Sequence, residues 1–260
     1  MNMRRLRFFF AAFLLLAVGC QTVPITGRSQ LVILPESEER ALGIQTYQEV
    51  LAKSKLSRDS QVIAQVERVG RRIAAATGRD DFQWEFKIIE DDKNRNAFAL
   101  PGGKVAVYTG ILSVTQDDAG LAVVLGHETA HAIARHGAER MSQGILAQVG
   151  LATVMASMKN RDPKTVQTVG ALLGAGATLG VILPYSRLQE SEADHLGLIY
   201  MAQAGYDPRA AVDFWQRMER ASREGVPPEF LSTHPSHQTR IRQIEGWLPE
   251  ALTHYRPQSR

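Results

Sequence analysis

The chain has 260 residues, with 44% hydrophobic and 22% charged side chains, close to a soluble globular average. That composition excludes a polytopic membrane protein and a fully disordered chain, and a single cysteine excludes an internal disulfide framework. Lys and Arg number 30 against 27 Asp and Glu, a net charge of +3 that by itself hints at an acidic partner such as nucleic acid.

The first twenty residues remove that hint. Arg4, Arg5 and Arg7 precede an apolar run from Phe8 to Val18. A short basic stretch before a short apolar one has the form of a secretory signal, too short for a comfortable permanent span. Leu16-Ala17-Val18-Gly19-Cys20 resembles a bacterial lipobox, although Ala17 stands where Leu is more usual. The resemblance implies cleavage before Cys20, so that 1–19 is a signal peptide, and lipid attachment to Cys20. Several acyl chains anchor stably where one binds only marginally. Gln21 stands where an Asp would signal inner-membrane retention in a Gram-negative bacterium, which implies the periplasmic side of the outer membrane. The alternative is an ordinary cleaved signal and a soluble periplasmic protein. The whole excess of positive charge lies in the signal, so the mature side chains balance and no nucleic-acid partner is expected.

Residues 20–34 read as a lipid-anchored tether ending in an extended stretch, Gln30 to Leu34. Pro35 with Glu36, Glu38 and Glu39 starts a helix that should run to about Lys53. Val62, Ile63, Val66, Val69 and Ile73 predict a second helix from Asp59 to Ala76, stopped by Gly78. Phe82 to Ile89 alternates like a strand, and Ala97 to Leu100, Pro101-Gly102-Gly103 and Lys104 to Tyr108 form a predicted hairpin. Thr115, with Asp118 three residues on, is predicted to cap a long helix. Two apolar stretches follow between Gly144 and Leu183. They read either as a core helix pair or as a cover over the cleft that touches lipid or unfolded substrate. Phe214, Trp215 and Met218 form a core stripe, and Ile241, Ile244 and Trp247 mark a last amphipathic helix.

The long helix carries His127-Glu128-Thr129-Ala130-His131. Residues four apart share a helix face, so both imidazoles can meet one metal ion while Glu128 reaches the water beside it as general base. Apolar neighbours bury the helix, and two His and a Glu in a core need a reason. A zinc site needs a third protein ligand. In Glu190-Ser191-Glu192-Ala193-Asp194, Glu190 and Asp194 share a face: a ligand and an acid that could hold a ligating His in its tautomer. Glu192 is the rival, and taken alone the segment would pass for a solvated acidic face.

These motifs together resemble the zinc metallopeptidase family of HtpX, the CAAX prenyl endopeptidases and the bacterial lipoprotein peptidases BepA and LoiP. Asn96-Ala97-Phe98-Ala99-Leu100-Pro101-Gly102-Gly103, Tyr108-Thr109-Gly110 and Thr233-His234-Pro235-Ser236 also match, and Pro24-Ile25-Thr26-Gly27-Arg28 is similar to the secreted branch. The resemblance implies an α+β fold: a predominantly helical zincin-like metallopeptidase domain over 35–248, followed by a tail at 249–260. Its small sheet would have an edge that lines the active-site cleft. It implies one zinc ion held by His127, His131 and Glu190, with Asp194 behind them, and hydrolysis of peptide bonds with Glu128 as base. A free strand edge near Ala99, Gly102, Gly103, Val105 and Val107 is expected to form the substrate groove. His234 either stabilises the oxyanion, fills the open metal position at rest, or only caps the next helix. Unfolded or misassembled envelope proteins are the substrates the family implies. A chaperone-like assembly factor with a mostly auto-inhibited zinc site is the alternative function.

Overall fold

The computed structural model describes residues 20–158, 161–177, 183–223 and 239–257. The signal at 1–19 lies outside these, as do Thr233, His234, Pro235 and Ser236. In chain order the elements begin with β1 (Cys20–Thr22), β2 (Ser29–Leu31), α1 (Glu36–Ala52), α2 (Ser60–Ala76), β3 (Glu85–Ile89), β4 (Ala97–Leu100) and β5 (Lys104–Tyr108). They continue with a 3-10 turn (Thr109–Ile111), α3 (Leu112–Thr115), α4 (Asp118–Ile133), α5 (His136–Ser157), α6 (Pro163–Ala177), α7 (Leu183–Gln203), α8 (Ala210–Arg223) and α9 (Arg240–His254). The fold is the expected α+β arrangement, mostly helical with small sheets. No helix among the described residues is long and apolar enough to cross a membrane.

The chain divides into two compact units. One holds the residues up to Glu36 and those from Arg135 to Leu188; the other holds Ser37–Ala134 and the residues from Gln189 onward.

In the first unit, β1 and β2 pair antiparallel, with Cys20 opposite Leu31. The segment expected as a tether is therefore a two-stranded ribbon, and side chains fasten it to α5. Arg28 donates to both oxygens of the buried Glu139 at 2.8 Å, and Ser142 accepts from the Ile33 amide at 2.9 Å. Arg135 donates to Gln21 and to the Leu34 carbonyl. On α5, the buried positions are His136, Ala138, Glu139 and Ser142. Met141, Ile145, Leu146 and Val149 are instead 44–58% exposed, so the described face of α5 is not the core helix that its apolar composition suggests.

In the second unit, local rules work well. Asp59 caps α2 by accepting from the Gln61 and Val62 amides, and Val66, Val69 and Ile73 are its buried face. The capping box expected at Thr115 and Asp118 does not form. Thr115 ends the one-turn helix α3, Gln116 turns the chain at φ +67°, and Asp117 becomes the cap by accepting from Gly120 at 2.8 Å. Asp118 turns instead to Arg68 and Gln65. The last helix continues through Pro249 to His254 with Ala251 buried, so the first residues of the segment expected as a tail from 249 are helical.

The main sheet has the order β3-β5-β4, with β3 parallel and β4 antiparallel to the centre. This corrects the expected groove. β5 has partners on both sides, so Val105 and Val107 offer no free edge, and both are fully buried. Gly102 and Gly103 are also buried at φ +87° and +86°, and a Cβ on Gly103 would meet the Trp84 ring at 3.0 Å. Their freedom serves the turn and its packing, not a substrate's backbone. Of the expected groove residues, only Ala99 lies on an outer strand, β4. From α1, Tyr47 packs on Ile89 and Ala106 and donates to the Val105 carbonyl at 3.0 Å.

Candidate metal centre

Three helices of the second unit build the site. His127, Glu128 and His131 stand on α4, Glu190 and Asp194 on α7, and Arg240 on α9; all six are buried. Two glycines set how closely α4 and α7 approach. A Cβ on Gly126 would lie 2.9 Å from the Gly197 carbonyl oxygen, and one on Gly197 would lie 2.9 Å from the His127 amide. Backbone contact at that crossing brings the Glu190 carboxylate within reach of both imidazoles.

His127 Nε2 and His131 Nε2 are 3.1 Å apart. Glu190 Oε2 lies 3.4 Å from the first and Oε1 3.3 Å from the second. Ligand atoms at zinc–ligand distances near 2.0–2.1 Å in a tetrahedron are roughly 3.3 Å from one another. The triangle is therefore already the size a zinc ion requires. Among the described residues, His127, His131 and Glu190 are the group of such side chains able to hold a metal. Glu192, the rival ligand, is buried but does not join it.

Behind the triangle, Asp194 Oδ1 lies 2.9 Å from His127 Nδ1, which presents Nε2 to the metal. Arg240 donates to Asp194 through Nε at 2.6 Å and Nη2 at 2.7 Å, and its guanidinium stacks on the Trp215 ring at 3.5 Å. Burial opposes charge on His127, yet hydrogen bonds and charge from Asp194 and Glu190 outweigh it and raise the imidazole from 6.5 to about 9. Burial also opposes charge on Asp194, and Arg240 and His127 overcome it, holding the carboxyl below its ordinary value. The carboxylates that draw a proton to His127 also favour a cation at that point, and zinc would bind there by displacing the proton.

The structure brings together the metal-binding residues expected from the motifs, and it gives His195 and His136 other surroundings. His195 bonds Glu250 at 2.7 Å and stacks on Trp247, and His136 is fully buried in the first unit. The sequence allows Arg240 to pair with an acid near the site without selecting which one, and it marks Trp215 only as core. A helical Arg followed by apolar residues carries no signal of what it will meet. Cys20 is an exposed free thiol at the start of β1.

Fold and site together define a zincin-like metallopeptidase. Residues 60–248 match the model of peptidase family M48, and the chain belongs to that family. It is 40% identical over 235 residues to the mitochondrial metalloendopeptidase OMA1 of Schizosaccharomyces pombe, covering 88% of this chain and 66% of the relative. It is 34% identical to the human metalloendopeptidase OMA1, covering 88% and 46%. It is 27% identical to the beta-barrel assembly-enhancing protease of Escherichia coli, covering 86% and 47%. The chain thus spans about half to two thirds of the length of these relatives. Zinc is the metal of the family, and the three ligands fit it.

Proposed function

We propose that the chain is a zinc-dependent endopeptidase that hydrolyses peptide bonds of periplasmic and outer-membrane proteins in envelope quality control. The observation that carries the reading is the buried His127–His131–Glu190 triangle with Glu128 beside its first member. Zinc, when bound, supplies a Lewis acid that acidifies water and polarises a carbonyl. Glu128 accepts the proton of the attacking water and returns it to the leaving amine. Asp194 keeps His127 in the tautomer that offers Nε2, and Arg240 keeps Asp194 ionised and oriented. His234 acts on the oxyanion or on the open metal position.

The lipobox-like run ending at Cys20 supports anchorage by lipid at the outer membrane, and the name of the Escherichia coli relative supports envelope proteins as substrates. Purified protein is to be incubated with casein and with a denatured outer-membrane protein, with and without chelator, beside Glu128→Gln. Cleavage lost on chelation and on substitution supports the reading. Zinc binding and client binding without cleavage would transfer it to an assembly factor. Labelling with radioactive palmitate, lost in Cys20→Ser, tests the anchor.

A further inference from the structure

A pocket of about 330 Å³ is lined by Arg95, Ser113, Val114, Gln116, Arg217, Arg220 and Ala221. Among the described residues no carboxylate lies within ion-pair reach of its three arginines. Of the two acids at the start of α4, Asp117 caps the helix and Asp118 is held by Arg68 and Gln65. Three guanidinium groups around one opening repel one another, and an anion between them removes that cost.

The pocket is also pre-shaped. Arg217 is pinned by donating to the Val114 carbonyl at 2.8 Å and the Thr115 carbonyl at 3.3 Å. Its Nη2 lies 3.1 Å from where a Cβ on Gly120 would stand, so the guanidinium is held against the first turn of α4. Arg95 directly precedes Asn96 and the outer strand β4. A peptide that pairs along β4 and continues past Ala97 meets Arg95 next.

We propose that this pocket is an anion subsite that binds a carboxylate of an acidic polypeptide substrate, a side chain or a chain terminus, beside the β4 edge. The proposal rests on the reading of the chain as a peptidase. It predicts a preference for acidic over isosteric neutral peptides, strongest at low salt.

The test measures binding rather than turnover. Zinc-loaded full-length chain carrying Glu128→Gln is titrated by fluorescence anisotropy with a labelled Asp/Glu-rich peptide and with its Asn/Gln twin. The acidic peptide should bind about tenfold tighter in dilute buffer, and the ratio should shrink as salt is added. Adding Arg95→Gln and Arg220→Gln should bring the ratio close to one, with the melting temperature and zinc content recording that the fold is kept. Arg220→Glu, a single change at an exposed position, should lower the ratio independently. Equal binding of both peptides by the Glu128→Gln chain would overturn the proposal. So would a ratio that survives loss of both arginines, or arginine-dependent binding to phosphatidylglycerol vesicles without peptide discrimination. A chain that discriminates peptides but never cuts any keeps the subsite and sinks the enzyme reading. A chain that cuts without charge preference sinks the subsite alone.

Discussion

Arg240 grips Asp194 with two hydrogen bonds, at 2.6 and 2.7 Å, and so ties the last helix of the chain to the acid that orients a metal-binding histidine. Both partners are buried, so neither charge has water to fall back on. Removing one partner of such a pair costs on the order of 3 kcal/mol, because the other charge is left uncompensated. Arg240→Gln should therefore melt markedly earlier than the parent chain. Asp194→Asn should bind zinc about 10–100-fold more weakly, as read by competition with a chromophoric chelator.

Glu128 holds no place in the triangle, so its loss should separate binding from chemistry. Glu128→Gln should retain zinc while peptide hydrolysis falls by about 10²–10⁴-fold. Equal zinc content in the two proteins, measured by atomic absorption, is needed to read the rate loss as chemistry.

The crossing of α4 and α7 leaves no room for a methyl group, since a Cβ on either Gly126 or Gly197 comes within 2.9 Å of backbone. Gly197→Ala should destabilise the chain by about 1–3 kcal/mol, the usual cost of overpacking, and should weaken zinc binding because Glu190 rides on the displaced helix. Denaturant titration and zinc competition on the same variant check both effects.

Tyr47 connects α1 to the central strand through the Val105 carbonyl. Burial first, then the nearby charge of Glu85, push its phenol well above the ordinary value of 10.0. A folded-state value above the unfolded one means that this contribution is complete below about pH 10 and is lost as pH rises past it. Tyr47→Phe should cost about 1 kcal/mol at neutral pH, and its stability should fall less steeply with alkali. Urea midpoints measured at pH 7 and above pH 10 give both numbers.

Zinc should also stabilise the fold, because the ligand triangle exists only when α4 and α7 are in place. At a free zinc concentration a hundred times the dissociation constant the gain is about 2.7 kcal/mol. Chelation should lower the melting temperature accordingly, and added zinc should restore it.

Much of this protein was legible in its residues because the relevant physics is local. The period of Val66, Val69 and Ile73 defines the buried face of α2, and the spacing of His127 and His131 puts both rings on one side of α4. The same spacing pairs Glu190 with Asp194, so the zinc ligands follow from helix geometry and the family motif. What depended on distant segments was not legible. β5 has the alternation of any strand, and only the addition of β3 on its far side makes it central and removes Val105 and Val107 from the groove. Thr115 lost its cap to Asp117 because a one-turn helix claimed it first. Arg240 meets Asp194 across 46 positions of sequence, and Arg95, in the loop before β4, shares a pocket with Arg217 and Arg220 of α8. Such pairings depend on how closely helices pack and on which strands are neighbours. Those are properties of the folded chain as a whole, so the sequence determines the ligands and the tertiary structure decides what holds them and what surrounds them.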